Sequence, residues 1–176
     1  NQESLVNDAF EPSNYPRFST PGQMAWDLYN AGFRVVSVSN NHSYDKGSEG
    51  VSASMALWST LPADLAAVGF YDLQNHSPIV YKTINNIRIA FLSYTEMTNG
   101  ISTPAGSDYG VIYLDESDVI HEQMQKARAN ADFLIVSCHW GTENSHVIND
   151  VQRDYAQQLA DWGADLIIGT HPHVVQ

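Results

Sequence analysis

Seven histidines lie along this chain of 176 residues. Four of them follow runs that read as β-strands: His42 after Val35–Val38, His139 after Phe133–Cys138, and His171 and His173 after Leu166–Ile168. One strand-end histidine alone would be an ordinary loop residue. Four at three strand ends form a pattern, because ligand sites in open α/β sheets lie in the crevice outside the carboxyl ends of the strands. His171-Pro172-His173 reinforces it: His-x-His on an extended chain sets two imidazoles close together, and the proline stiffens the link. The expected chemistry is metal binding through nitrogen and oxygen donors. A donor set without thiolates suits zinc, manganese or iron rather than a structural thiolate-zinc centre.

The loop Asn40-Asn41-His42-Ser43-Tyr44-Asp45 is the second candidate. An asparagine carbonyl can ligate a metal, a histidine beside it can donate a proton to a leaving group, and a nearby carboxylate can orient that imidazole. His76 in a polar turn, His121 among Glu116, Asp118 and Glu122, and His146 in the loop after His139 read as surface residues. Cys138, the single cysteine, reads as a buried structural thiol and excludes an internal disulfide. Trp140 fits either packing or a pocket wall. There is no Gly-x-Ser-x-Gly elbow, Gly-x-Gly-x-x-Gly turn or Walker loop, which argues against a serine hydrolase and against dinucleotide or P-loop sites.

Those residues need a scaffold. A helix is expected from Thr20-Pro21-Gly22 to Gly32, with threonine capping and proline in the first helical position. A strand follows over Phe33–Val38, then a helix over Ser48–Thr60 and a short strand over Leu65–Tyr71. Ile79–Ile84 and Ile87–Tyr94 flank Asn85-Asn86 as a hairpin. Residues 1–18 and Thr95–Tyr109 read as loops, the second long enough to be a lid or rim. Helices over Asp115–Asn130 and Asp150–Trp162 precede strands over Asp132–Cys138 and Asp165–Ile168, both apolar enough to be covered on two faces. The alternation specifies an α/β layered fold around a largely parallel sheet.

Eight basic and twenty acidic residues give a net charge of −12. A chain this acidic repels phosphate backbones, which argues against a nucleic-acid partner. Hydrophobic residues at 43% are ample for a globular core, and no apolar run approaches the ~18 residues of a membrane span. The start at Asn1, with no initiator methionine or signal peptide, reads as a piece of something longer.

Three segments together carry a family resemblance: Ser39–Gly47, His139-Trp140-Gly141-Thr142-Glu143, and Gly169–Gln176. They resemble, in order and over almost the whole chain, the bacterial capsule synthesis protein CapA family, which is associated with poly-γ-glutamate capsules and related to the calcineurin-like metallophosphoesterases. Asn1-Gln2-Glu3 is similar to the family's Asn-x-Glu segment.

The resemblance implies a layered α-β-β-α sandwich, here a single domain over residues 1–176 that lacks the family's upstream Gly-Asp motif and its final strands. It implies two divalent metal ions. Asn41, His139, His171 and His173 would be ligands, with Glu3 bridging, His42 the proton donor and Asp45 its orienting carboxylate. It also implies an extracellular position at the cell envelope, with a membrane anchor outside this chain. The expected partners are an anionic substrate or capsular polymer and other capsule-synthesis membrane proteins. The expected function is a metal-dependent phosphoesterase-like hydrolase; the alternative is a non-catalytic protein that binds or guides an anionic polymer.

Overall fold

Alternating burial along the strands decides how the layers stack. The computed structural model describes residues 1–176. Its elements run α1 (Gln23–Asn30), β1 (Val35–Ser37), α2 (Gly47–Trp58), β2 (Ala66–Val68), β3 (Phe70–Asp72), β4 (Val80–Ile84), β5 (Ile87–Thr95), β6 (Tyr109–Val111), α3 (Ser117–Ala129), β7 (Phe133–His139), α4 (Asp150–Asp161) and β8 (Leu166–Thr170).

The largest sheet has the order β4-β5-β7-β8. β5, β7 and β8 are parallel, and β4 pairs antiparallel with β5 through the expected hairpin. Asn85 and Asn86 take φ of 51° and 66°, the left-handed pair that a type I′ turn requires. β1 and β2 form a parallel pair, and β3 and β6 an antiparallel one.

Two cores result. Ala90, Leu92 and Tyr94 of β5 and Leu134, Val136 and Cys138 of β7 pack with Ile120, Met124 and Ala127 of α3 and Leu159 of α4. Leu5, Val6, Ala25, Val36, Val38 and Val51 form the second, around β1, α1 and α2. Between β1 and the large sheet the contact is polar: Ser37 Oγ lies 2.8 Å from Ser93 Oγ and 3.3 Å from Ser137 Oγ.

Several sequence expectations change. The polar start is not a free loop. Leu5 and Val6 are buried, and Val6 bridges to Thr20. α1 begins later than expected, with Gly22 at the N-cap and no side-chain cap from Thr20. Thr20 bonds Ser4 instead, and the Gly22 N–H donates to Asp8 Oδ1 at 2.8 Å. The expected strand over Leu65–Tyr71 splits into β2 and β3, which join different sheets. Gly69 causes the split: its φ of 125° breaks strand geometry, and its missing side chain admits Ser39. The loop expected from Thr95 gives up both ends, to β5 and to β6.

The last two strands are covered less completely than expected: the second face of β7 is exposed at Phe133 and meets β1 only toward its end, at Ser137. Burial alternates along β7, and in β8, the edge strand of the sheet, Leu166 and Ile168 are 43% and 45% exposed. α3 and α4 lie close to their expected limits. In α4, Asn149 accepts from the Gln152 N–H while the Gln152 side chain takes the Asn149 N–H, a capping box.

Candidate metal centre

The loop after β1 is held by the asparagine that does not face the site. Asn40 Oδ1 accepts the His42 N–H at 2.8 Å, and its Nδ2 donates to the Gln2 and Val38 carbonyls at 3.0 and 3.1 Å. This Asx turn leaves Asn41 and His42 to project. His42 Nδ1 lies 2.8 Å from Asp45 Oδ2, which also accepts the Phe18 N–H at 2.6 Å. The Phe18 ring packs edge-on against His42, with centroids 4.6 Å apart.

Loop-to-strand hydrogen bonds also fix the ends of β7 and β8. The Glu96 N–H donates to the His139 carbonyl at 2.9 Å, and the Glu96 carboxylate accepts the Gly141 N–H at 2.8 Å. The Trp140 N–H donates to the Thr170 carbonyl at 3.1 Å, and the Asn144 N–H to that of Pro172 at 2.8 Å. His171 and His173 have φ of 97° and 58°. Non-glycine residues held there cost about 1–3 kcal/mol each, a strain that clusters at functional sites.

The expected donors converge. His139 Nε2 lies 2.9 Å from Asn41 Oδ1 and 3.7 Å from Glu3 Oε1. Glu3 Oε1 is 3.6 Å from His173 Nε2, and the donor atoms of Glu3, His171 and His173 all fall within 4.8 Å of one another. The His139 and His171 ring centroids are 4.8 Å apart. On the other side of the His139 ring, Nδ1 faces Thr170 Oγ1 at 3.0 Å and Asn1 Nδ2 at 3.3 Å. A hydroxyl both donates and accepts, so Thr170 can serve either tautomer of His139.

These residues fit a divalent cation. His171 Nδ1 is buried with no hydrogen-bond partner, a costly arrangement that a cation would relieve. The donors are imidazole nitrogens and carboxylate and amide oxygens, whereas Cys138 is sequestered in the core, where burial pushes its thiol up. Burial also pulls the His139 imidazole down to about 3, reinforced by the neighbouring His171, His173 and His42. This keeps His139 neutral at ordinary pH.

A cleft of about 740 Å³ opens over the cluster, with Glu3, Phe18, His42, Glu143 and His173 among its walls. The other three histidines stand apart. His76 stacks on Tyr71, His121 packs against Trp162, and His146 donates from Nδ1 to the Val175 carbonyl. His121 is thus part of a helix contact rather than fully solvated. Trp140 is buried in the core and packs beside Gly169. Thr170, Glu96 and Phe18 escaped the sequence reading, and Asn1 entered it only as the start of the Asn-x-Glu segment. Of these only Thr170 carried a signal, by its place between the strand and His171.

A family model described as "Bacterial capsule synthesis protein PGA_cap" matches residues 1–176. The chain is 33% identical over 152 residues to a capsule biosynthesis protein CapA of Bacillus anthracis, covering 83% of this chain and 36% of that protein. It is 30% identical over 149 residues to a PGA biosynthesis protein CapA of Bacillus subtilis (strain 168), covering 85% and 39%. The chain thus spans little more than a third of the length of these curated relatives. Among solved structures, a Staphylococcus aureus chain described as a 5'-nucleotidase, in complex with alpha-ketoglutarate, superposes with a TM-score of 0.55 at 15% identity, covering 84% of this chain and 31% of that one. This likeness is one of fold: mixed α/β, with sheets and helices in layers.

Proposed function

The chain belongs to the bacterial capsule synthesis protein family, with a layered fold of the metallophosphoesterase type, and on that premise we propose that it is a metal-dependent hydrolase of phosphoester type acting in capsule formation at the cell envelope. The observation that carries this reading is the junction of two chemistries at one cleft: its walls include Glu3 and His173 of the donor cluster they form with His171, and His42, which is paired with Asp45.

Glu3, Asn41, His139, His171 and His173 would hold divalent ions, two in number, drawn from manganese, zinc and iron. Bound there, such ions polarise phosphoryl oxygens and lower the pKa of a coordinated water. The chain supplies the proton. With Nδ1 held by Asp45, His42 keeps Nε2 for the leaving oxygen. Phe18 covers one side of His42 and limits its contact with water.

The substrate would be anionic, with a capsular polymer as the partner and other capsule-synthesis membrane proteins as neighbours. An envelope location rests on the family; no helix is long and apolar enough to cross a membrane.

The test is release of nitrophenol from an aryl phosphate by the chain loaded with manganese, zinc or iron. Turnover that disappears with chelator and in His42→Ala supports the reading. Stoichiometric metal with no phosphoester turnover contradicts it. The name of the Bacillus subtilis relative and the polar walls of the cleft favour one second reading, a metal-assisted clamp for an anionic polymer. Polymer binding that needs metal but survives in His42→Ala would select the clamp.

A further inference from the structure

The long segment after β5 is anchored rather than loose where it meets the site. Thr98-Asn99-Gly100-Ile101 is a tight turn closed by the Ile101 N–H donating to the Thr98 carbonyl at 2.9 Å. Asn99 and Gly100 have φ of 50° and 75°, the Asn-Gly signature of a type I′ turn. Thr98 is buried beneath it. Its hydroxyl donates to the Ile101 carbonyl and lies 2.7 Å from the Tyr113 hydroxyl, which ties the turn to the residues after β6.

This turn delivers one amide to the site. Asn41 Nδ2 donates to Asn99 Oδ1 at 3.3 Å, while Asn41 Oδ1 faces His139 Nε2 at 2.9 Å. Asn41 is 2% exposed, so its amide cannot turn to water for other partners. An amide offers a cation only its oxygen, so the site depends on which end of Asn41 points at His139. Asn99 Nδ2 also lies 3.5 Å from His42 Nδ1, whose hydrogen-bond partner is Asp45. The turn therefore adjoins both residues of the Asn41-His42 pair.

We infer that Asn99 is a positioning residue: it holds the Asn41 amine so that the Asn41 carbonyl oxygen is aimed at the metal centre. The inference rests on the reading of Asn41 as a metal ligand. Partners of ligands typically contribute about 10–100-fold to metal affinity, and Asn99 falls in that class.

Three forms of the chain test it, each titrated with cobalt(II) and followed by its visible absorption. Asn99→Gly removes the amide yet suits the positive φ, so the turn persists. Asn99→Asp keeps an acceptor for the Asn41 amine. Affinity about 10-fold weaker in Asn99→Gly and near wild type in Asn99→Asp is expected. Equal affinity in all three, or an equal loss in both variants, overturns the inference. A readout without metal accompanies it: the Asn41 side-chain amide protons are expected to exchange slowly in the wild type and Asn99→Asp and rapidly in Asn99→Gly. Exchange that is unchanged in Asn99→Gly also overturns the inference. If the wild-type chain binds no cobalt, the metal-centre reading itself falls, and the inference with it.

Discussion

Asp45 holds His42 by one oxygen: Oδ2 lies 2.8 Å from His42 Nδ1 and takes the Phe18 N–H at 2.6 Å as well. The carboxylate therefore fixes both the tilt of the ring and the tautomer that faces the cleft. His42→Ala is expected to lower aryl phosphate turnover by about 10²–10⁴-fold. Asp45→Asn should cost less, because an amide oxygen can still take one of the two N–H groups. Turnover in His42→Ala within twofold of wild type would remove His42 from the reaction.

His173 carries its strain in a half-exposed position, with φ of 58° and a side chain 51% exposed. Glycine accepts that φ freely, although its own unfolded-state freedom offsets about 0.5–1 kcal/mol of the relief. His173→Gly is therefore expected to stabilise the metal-free chain by roughly 1 kcal/mol, raising its thermal midpoint about 2–4 °C. The same substitution should strip retained transition metal, measured by elemental mass spectrometry. A variant that is less stable yet still metal-loaded would contradict both expectations.

Gly69 sets the loop that carries Asn41 and His42. A Cβ there would lie 2.6 Å from Ser39 Cβ and 2.8 Å from Ser39 N, in a backbone with φ of 125°. Gly69→Ala is expected to destabilise the fold by about 2–4 kcal/mol, read as a lower urea midpoint at unchanged slope. A shift below about 0.5 kcal/mol, the range of ordinary surface substitutions, would mean that the β2–β3 break tolerates a side chain.

The pH dependence of the metal-free chain follows from His139. Its folded-state pKa is pulled down to about 3 by burial, against an unfolded value of about 6.5. The folded state thus favours the neutral ring. Its contribution is full above about pH 6.5 and is lost as pH falls from there toward 3. The urea midpoint should fall between pH 7.5 and 4.5, and His139→Gln should flatten that part of the curve. A midpoint equally steep in the variant would assign the acid sensitivity elsewhere.

The sequence displayed the donors because local rules placed them. His42, His139, His171 and His173 follow β-rich runs, and strand-end positions can be read without tertiary contacts. It did not display what aims them. Asn99 sits 58 residues from its partner Asn41, and nothing local distinguishes its Asn-Gly turn from an idle one. Leu5 and Val6 are buried only because distant segments fold over them, so their polar neighbours made the whole stretch read as loop. The break at Gly69 was equally hidden, since a glycine in an apolar run shows nothing of the Ser39 backbone against which it packs.

The hydroxyls of Ser37, Ser93 and Ser137 are slender fasteners between β1 and the large sheet, each worth about 0.5–1.5 kcal/mol. Asn41 hangs from the β1 side of that seam, His139 from the other. An ion held by both would rivet the two plates across that seam, so loading the site would stiffen the joint between them.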